Sequence, residues 1–206
     1  MSDYAYNFER YRKFLNIVLR YDLQIFEIPK ESLILDVGCG FGEDVHRLLE
    51  LGYSNVIGID PDPYCISKRG DFDLRLGSIE NTGFEDQSFD MVLVNNVFHH
   101  ISDYKVSLNE ISRVLKSGGC LCFIEPRPSI LRQILDFVTF NTPLPRLFGG
   151  PFHIRHEVVG EEFATGLYPK WLKEYDLFFE LLQIQFNIIF LKRSPLFIFS
   201  KAEKVN

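Results

Sequence analysis

Ile34-Leu35-Asp36-Val37-Gly38-Cys39-Gly40-Phe41-Gly42-Glu43-Asp44-Val45 is the stretch that decides the fold. The apolar run Leu33 to Leu35 meets an acid, Asp36, and then glycines at alternate positions, Gly38, Gly40 and Gly42. Val45, Leu48 and Leu49 follow at helical spacing. A strand, a glycine turn and a helix together let backbone approach a ligand closely, because glycine has no Cβ in the way. The helix N-terminus adds unsatisfied N–H groups aimed into the same space. The acid discriminates among ligands: a carboxylate beside the turn opposes a pyrophosphate and favours a group carrying an ammonium.

A second apolar run, Val56 to Ile59, ends in Asp60. An acid at the end of the second strand, roughly 20 residues past the glycine turn, takes up ribose hydroxyls in doubly wound folds. A nicotinamide site wants a small residue where this chain has Glu43, and a Gly-Lys-Ser/Thr phosphate loop is absent from the sequence. The ligand these residues suggest is a nucleoside with an amino-acid tail, S-adenosylmethionine.

Five motifs occur in order: Asp36 to Gly42, Gly58 to Asp62, Ser88 to Val92, Asn95 to Asp103 and Leu115 to Leu121. Together they resemble the class I S-adenosylmethionine-dependent methyltransferases, closest to the small-molecule branch called type 11. The resemblance covers residues 32–125. It implies an α/β fold, a Rossmann-like doubly wound, mostly parallel sheet with an antiparallel C-terminal edge hairpin. The expected organisation is one methyltransferase domain over 1–206, with an N-terminal helix in 1–31, the cofactor-binding core in 32–125, a lid or substrate insertion in 126–175 and closing strands in 176–206.

Carried over residue by residue, the resemblance implies that Gly38 and Gly40 admit the methionine part of the cofactor and that Asp36 meets its amino group. Cys39 and Gly42 complete the turn. Asp60 would bond the ribose hydroxyls, with Pro61 against the adenine. Ser78 stands where related sequences usually carry an acid for the adenine amino group, and its hydroxyl or the Ile79 backbone would bond the adenine edge instead. Asn95 would line the pocket through its backbone, near the reacting methyl group. The product would be S-adenosylhomocysteine.

Methyl transfer from a sulfonium needs alignment and exclusion of water, and a base only for a hydroxyl or protonated amine acceptor. His99 and His100 follow the fourth strand, where substrate should enter, and a packing role is the competing reading. His153 and His156 lie in a stretch whose secondary structure the pattern does not decide, and a loop role is the competing reading. The candidate catalytic residues are His100 and His153.

Elsewhere the pattern is coarser. Apolar positions from Phe8 to Leu19 predict a helix over 7–21, and Pro63 to Lys68 a short one. Asp73–Leu76, Phe89–Asn95 and Cys120–Glu125 read as strands. Tyr104–Leu115 reads as a helix capped by Ser102 or Asp103 and stopped by Gly118-Gly119. Ser129–Phe140 carries a helical apolar stripe, followed by a turn-rich run over 143–152 that reads as an apolar lid. Such a lid fits an acceptor with a greasy portion or a peripheral membrane contact, and equally burial against the sheet or a homodimer partner, through 126–152. Phe178–Leu191 and Pro195–Lys201 read as two antiparallel strands, the first also long enough to include the end of a helix.

Composition narrows the classes. At 206 residues with 46% hydrophobic content the chain can bury a sheet on both faces. The net charge of −6 argues against a nucleic-acid phosphate surface. No apolar run approaches the ~18 residues of a membrane span, and the N-terminus does not read as a signal peptide, so a cytoplasmic location is expected. The four cysteines form no Cys-x-x-Cys pair, and no metal site is expected. Asn95-Asn96-Val97-Phe98 lacks the prolines of enzymes that methylate amino groups of DNA bases or glutamine, and no Pro-Cys dipeptide supplies a cytosine-5 nucleophile. The favoured reading is a methyltransferase acting on a small-molecule, apolar or lipid-like acceptor. The alternative is a non-catalytic, cofactor-binding or partner-subunit descendant of the same fold.

Overall fold

Leu33–Val37 (β1) sits at the centre of a seven-stranded sheet because nearly every residue in it is buried, on one face or the other. The computed structural model describes residues 23–68, 70–143, 147 and 150–205. The helix expected over 7–21 lies outside them.

The strands are β1, Asn55–Asp60 (β2), Leu74–Leu76 (β3), Phe89–Asn95 (β4), Leu115–Pro126 (β5), Phe186–Arg193 (β6) and Phe197–Lys204 (β7). Their order is β3-β2-β1-β4-β5-β7-β6. The first five run parallel, and β7 pairs antiparallel with both β5 and β6. This is the expected doubly wound sheet with its antiparallel edge. The strand order reverses between β1 and β4, and the crevice outside the carboxyl ends at that point is where such sheets bind ligands.

Alternation along the strands splits the core in two. Leu35 and Val37 of β1, Val92 and Val94 of β4, and Leu121 and Phe123 of β5 face one cluster; Ile34, Met91, Leu93, Cys120 and Cys122 face the other. The first face is covered by Tyr104–Val114 (α3), Leu167–Lys173 (α6) and Tyr175–Gln185 (α7). The second is covered by Glu43–Glu50 (α1) and a 3-10 turn at Leu23–Phe26. Pro63–Ser67 (α2), Ile130–Asn141 (α4) and Gly150–Ala164 (α5) complete the helices used below. Each large apolar side chain buried this way contributes about 1.5–3 kcal/mol relative to exposure.

Local signals fix several ends. Asp103 caps α3 by accepting from the Lys105 and Val106 N–H groups, and Asp62 caps α2 through the Tyr64 N–H. Ser129 does the same for α4 at Arg132.

Four expectations are corrected or decided. Residues 178–185, which read as strand or as the end of a helix, are helical: a Phe- and Leu-rich run buried against the sheet has the composition of a core strand, and period alone does not separate the two. Gly118-Gly119 does not stop α3, which ends at Val114; the chain turns straight into β5, and Gly118 takes a positive φ within that strand. β3 begins at Leu74, one residue later than expected. The stretch holding His153 and His156 is helical, in α5. Among the described residues no helix is long and apolar enough to cross a membrane.

Candidate functional site

The turn after β1 is held to β2 by backbone. Gly38 and Cys39 both donate to the Ile59 carbonyl, at 2.8 and 3.0 Å. Gly38 has φ +73°, and a Cβ there would stand 2.3 Å from Val97 Cγ2. Both the conformation and the space therefore demand glycine. Beneath the turn, buried Cys39 packs against Gly58, where a Cβ would meet its sulfur at 2.9 Å. Asp60 draws the loops together: Oδ2 accepts from the Gly40 N–H at 2.9 Å and Oδ1 from the Asp62 N–H at 2.9 Å. Each oxygen keeps a lone pair for a ligand hydroxyl.

These residues open on a cavity of about 650 Å³, within the range of small-molecule sites. Of the cofactor residues expected from sequence, Gly38, Gly40, Asp60 and Pro61 line it from the first two strands. Ser78, Ile79 and Asn95 line it from the β3 and β4 ends. Asp36 is buried in β1, and neither it nor Cys39 nor Gly42 is part of the lining; Gly42 instead takes a left-handed conformation as the N-cap of α1. The Asn95 side chain turns inward, donating to Asp44 at 2.6 Å and accepting from Asn96 Nδ2 at 2.7 Å. Ser78 closes a small turn with Asn81, whose N–H reaches its hydroxyl at 3.2 Å.

The far end of the cavity is built differently. Glu125, fully buried near the end of β5, accepts from the Val97 and Phe98 N–H groups at 2.7 Å each through Oε1. Its Oε2 lies 2.7 Å from His99 Nδ1, so one proton is held between them. Those bonds fix the 3-10 turn Phe98–His100 that follows β4. The His99 and His100 rings lie 4.1 Å apart. Across from them, Glu162 of α5 places Oε2 at 3.7 Å from His99 Nε2 and Oε1 at 3.8 Å from His100 Nε2. His99, His100, Glu162, Val159 and Tyr168 all line the cavity.

Burial dominates the electrostatics here. It pushes the Glu125 carboxyl up to about 8, opposed by the two backbone N–H donors. It pushes His99 down to about 3, with Arg132 adding to the effect, so the imidazole is neutral. His100 moves the same way through burial and the neighbouring His99. Glu162 rises to about 7 by burial, opposed by Arg155.

The helices that carry this end are anchored from several sides. Arg155 of α5 donates to Thr139 Oγ1 at 2.7 Å and pairs with Asp136, tying α5 to α4. Trp171, fully buried in α6, donates from Nε1 to the Pro126 carbonyl at 2.7 Å. Lys170 reaches the Ser102 carbonyl just past the histidine turn.

Of the two candidate catalytic histidines, His100 faces the cavity and His153 is not part of its lining. His153 sits on α5 with Nε2 3.2 Å from Glu157. The groups that the sequence reading did not single out are Glu125, Glu162 and Arg132. Glu125 carried one legible signal, an acid at the end of an apolar strand; Glu162 carried none.

Comparison with known proteins places this geometry. Residues 35–123 match a family described as a methyltransferase domain. An uncharacterized protein of Methanocaldococcus jannaschii is 33% identical over 129 residues, covering 59% of this chain and 54% of that protein. A demethylmenaquinone methyltransferase of Chlorobaculum parvum is 30% identical over 130 residues, covering 60% and 54%. The chain thus spans about half the length of these curated relatives. A solved structure, a SAM dependent methyltransferase from Aquifex aeolicus, shares the fold at a TM-score of 0.64 and 17% identity, covering 96% of this chain and 98% of that one.

Proposed function

We propose that this chain, whose residues 35–123 match a methyltransferase domain, transfers a methyl group from S-adenosylmethionine to a small-molecule acceptor with an apolar body. One observation carries the reading. The glycine turn and Asp60 share a single cavity with the His99–His100 turn, so donor and acceptor have adjoining places in one enclosure.

The residues present suit the cofactor. Gly38 and Gly40 present bare backbone to the cavity where a methionine tail would lie, and Asp60 keeps lone pairs free for the ribose. When bound, S-adenosylmethionine supplies a methyl group already activated on a sulfonium. The chain's part is to orient and to exclude water. Val97, whose methyl group touches the space at Gly38, and the Asn95 backbone border the junction between the two halves of the cavity. His99, oriented by Glu125, and His100 face the acceptor. His153, away from the lining, has no acceptor role in this account.

The apolar character of the acceptor is supported by Val159, Tyr168, Ile101 and Phe197 in the lining. It is supported again by α4 near the mouth, where Ile130, Leu131, Ile134 and Phe137 are all at least 50% exposed. That face suits passing contact with a membrane surface, from which a lipid-like acceptor would be drawn. The similarity to a demethylmenaquinone methyltransferase points the same way. A second reading, cofactor binding without transfer, is favoured by Ser78 alone.

The test is incubation of the protein with methyl-labelled S-adenosylmethionine and a panel of acceptors, isoprenoid quinols and hydroxylated lipids against polar sugars and amines. Label in the apolar class is expected. Cofactor binding with no transfer to any class would favour the second reading, and transfer only to polar acceptors would overturn the apolar assignment.

A further inference from the structure

We infer that His99 Nε2, His100 Nε2 and the Glu162 carboxylate form a site for one divalent transition-metal ion, whose open positions face the cavity and take an oxygen donor of the acceptor. The ion site itself stands on the side chains; only the acceptor's part in it rests on the methyl-transfer reading.

The three donor atoms come from two separate elements, the turn after β4 and helix α5, and lie within 4.8 Å of one another. The His99–Glu162 and His100–Glu162 separations, 3.7 and 3.8 Å, are too long for hydrogen bonds. A metal held at about 2.0–2.2 Å by imidazole nitrogen and carboxylate oxygen needs its donors roughly 3–3.5 Å apart. The two histidine–carboxylate separations need to close by a few tenths of an ångström, and the set as a whole, now within 4.8 Å, by no more than about 1.5 Å of side-chain movement.

His99 has the support that a metal-bound imidazole characteristically has. Its other ring nitrogen meets a carboxylate, Glu125, at 2.7 Å, and that carboxylate is itself locked by two backbone N–H groups. This arrangement fixes ring orientation and leaves Nε2 directed at Glu162. His99 is 3% exposed, a costly place for an imidazole unless its nitrogens are used.

The charges around the ion are acceptable. Arg132 stands near His99 and Arg155 near Glu162. Arg155 is already paired with Asp136, which leaves Arg132 as the other cation beside the Glu162 carboxyl. Two imidazoles and one carboxylate with the remaining positions open is a donor set for zinc or ferrous iron in sites that bind substrate. Such an ion would polarise an acceptor hydroxyl and fix its direction within the cavity.

The sequence did not suggest this cluster, because Glu162 lies far along the chain from the histidine turn. Two other histidine–carboxylate pairs, His46 with Glu50 and His153 with Glu157, lie one helical turn apart on helix surfaces and serve as controls.

The experiment is calorimetric titration of the EDTA-dialysed full chain with ZnCl2, repeated with CoCl2. One ion per chain is expected. Glu162→Gln and His99→Ala should each abolish that stoichiometric step, and Glu125→Gln should weaken it by about 10–100-fold. His46→Ala combined with His153→Ala should leave it intact. S-adenosylhomocysteine titrated into every variant checks that the fold survives, and the near-isosteric Glu162→Gln keeps the test valid if His99→Ala does not fold. Zinc binding equal in wild type and Glu162→Gln would overturn the proposal, as would loss of binding in the surface double variant. Zinc binding without S-adenosylhomocysteine binding in the wild type would retain the ion site and reject the methyl-transfer reading.

Discussion

Gly38→Ala is the substitution with the most to lose in the glycine turn. Its φ of +73° costs an L residue about 1–2 kcal/mol, and the new Cβ would lie 2.3 Å from Val97 Cγ2, well inside contact distance. Overpacking of that kind costs about 1–3 kcal/mol. The sum, roughly 2–5 kcal/mol, is a large share of the 5–15 kcal/mol that typically holds a domain folded. Gly52→Ala isolates the two parts. Gly52 also has a positive φ, +90°, but nothing lies within 4 Å of a Cβ placed there. It should lose only the conformational part, and the stiffening of the unfolded chain cancels between the two variants. Urea unfolding should therefore place Gly38→Ala about 1–3 kcal/mol below Gly52→Ala. Adding Val97→Ala should recover much of the gap, seen as a coupling energy in a double-mutant cycle. S-adenosylhomocysteine binding should fall for Gly38→Ala and not for Gly52→Ala. Equal destabilisation by the two glycine variants, with no coupling to Val97, would refute the close-approach argument.

Other expectations follow from the same structure. Glu110 is held down at about 2, chiefly by its hydrogen bond from Arg113 and further by the Thr82 N–H and hydroxyl. Because its folded value lies below the unfolded one near 4.3, its contribution is complete above that pH and is lost as pH falls towards 2; urea midpoints at pH 6 and pH 3 should converge in Glu110→Gln relative to wild type. Trp171→Phe removes the donor to the Pro126 carbonyl and should cost about 1–3 kcal/mol in the same assay, more than a surface substitution such as Lys173→Ala. Ser78→Asp places a carboxylate where an adenine amino group is expected, and should tighten S-adenosylhomocysteine binding by about tenfold, since a charge-assisted hydrogen bond is roughly twice as strong as a neutral one.

The glycine-turn end of the cavity was legible because it is local. Strand, turn and helix are contiguous from Leu33 to Glu50, and glycine and acid at fixed offsets report a backbone conformation directly. Gly38, Gly40 and Asp60 consequently line the cavity where the sequence placed them. The histidine end of the cavity is assembled from distant segments, and no single window contains it. Glu125 needed β5 to be paired with β4 before its carboxylate could meet His99. Glu162 needed α5, a helix that begins at Gly150-Pro151 and contains Gly160, residues that lower helix propensity and obscured it. Residues 178–185 stayed ambiguous for a different reason. A helix buried on a sheet keeps Phe and Leu around much of its circumference, and the period that separates helix from strand fades.

The central claim is that the cavity between Gly38, Asp60 and Ser78 binds S-adenosylmethionine. Calorimetric titration of the wild-type chain and of Asp60→Ala with S-adenosylhomocysteine tests it most directly. One molecule per chain is predicted for the wild type, with binding weakened by about 10–100-fold in Asp60→Ala, where hydrogen bonds to a charged group worth about 1.5–3 kcal/mol are lost. No measurable binding to the wild type, or equal binding by both proteins, would contradict it.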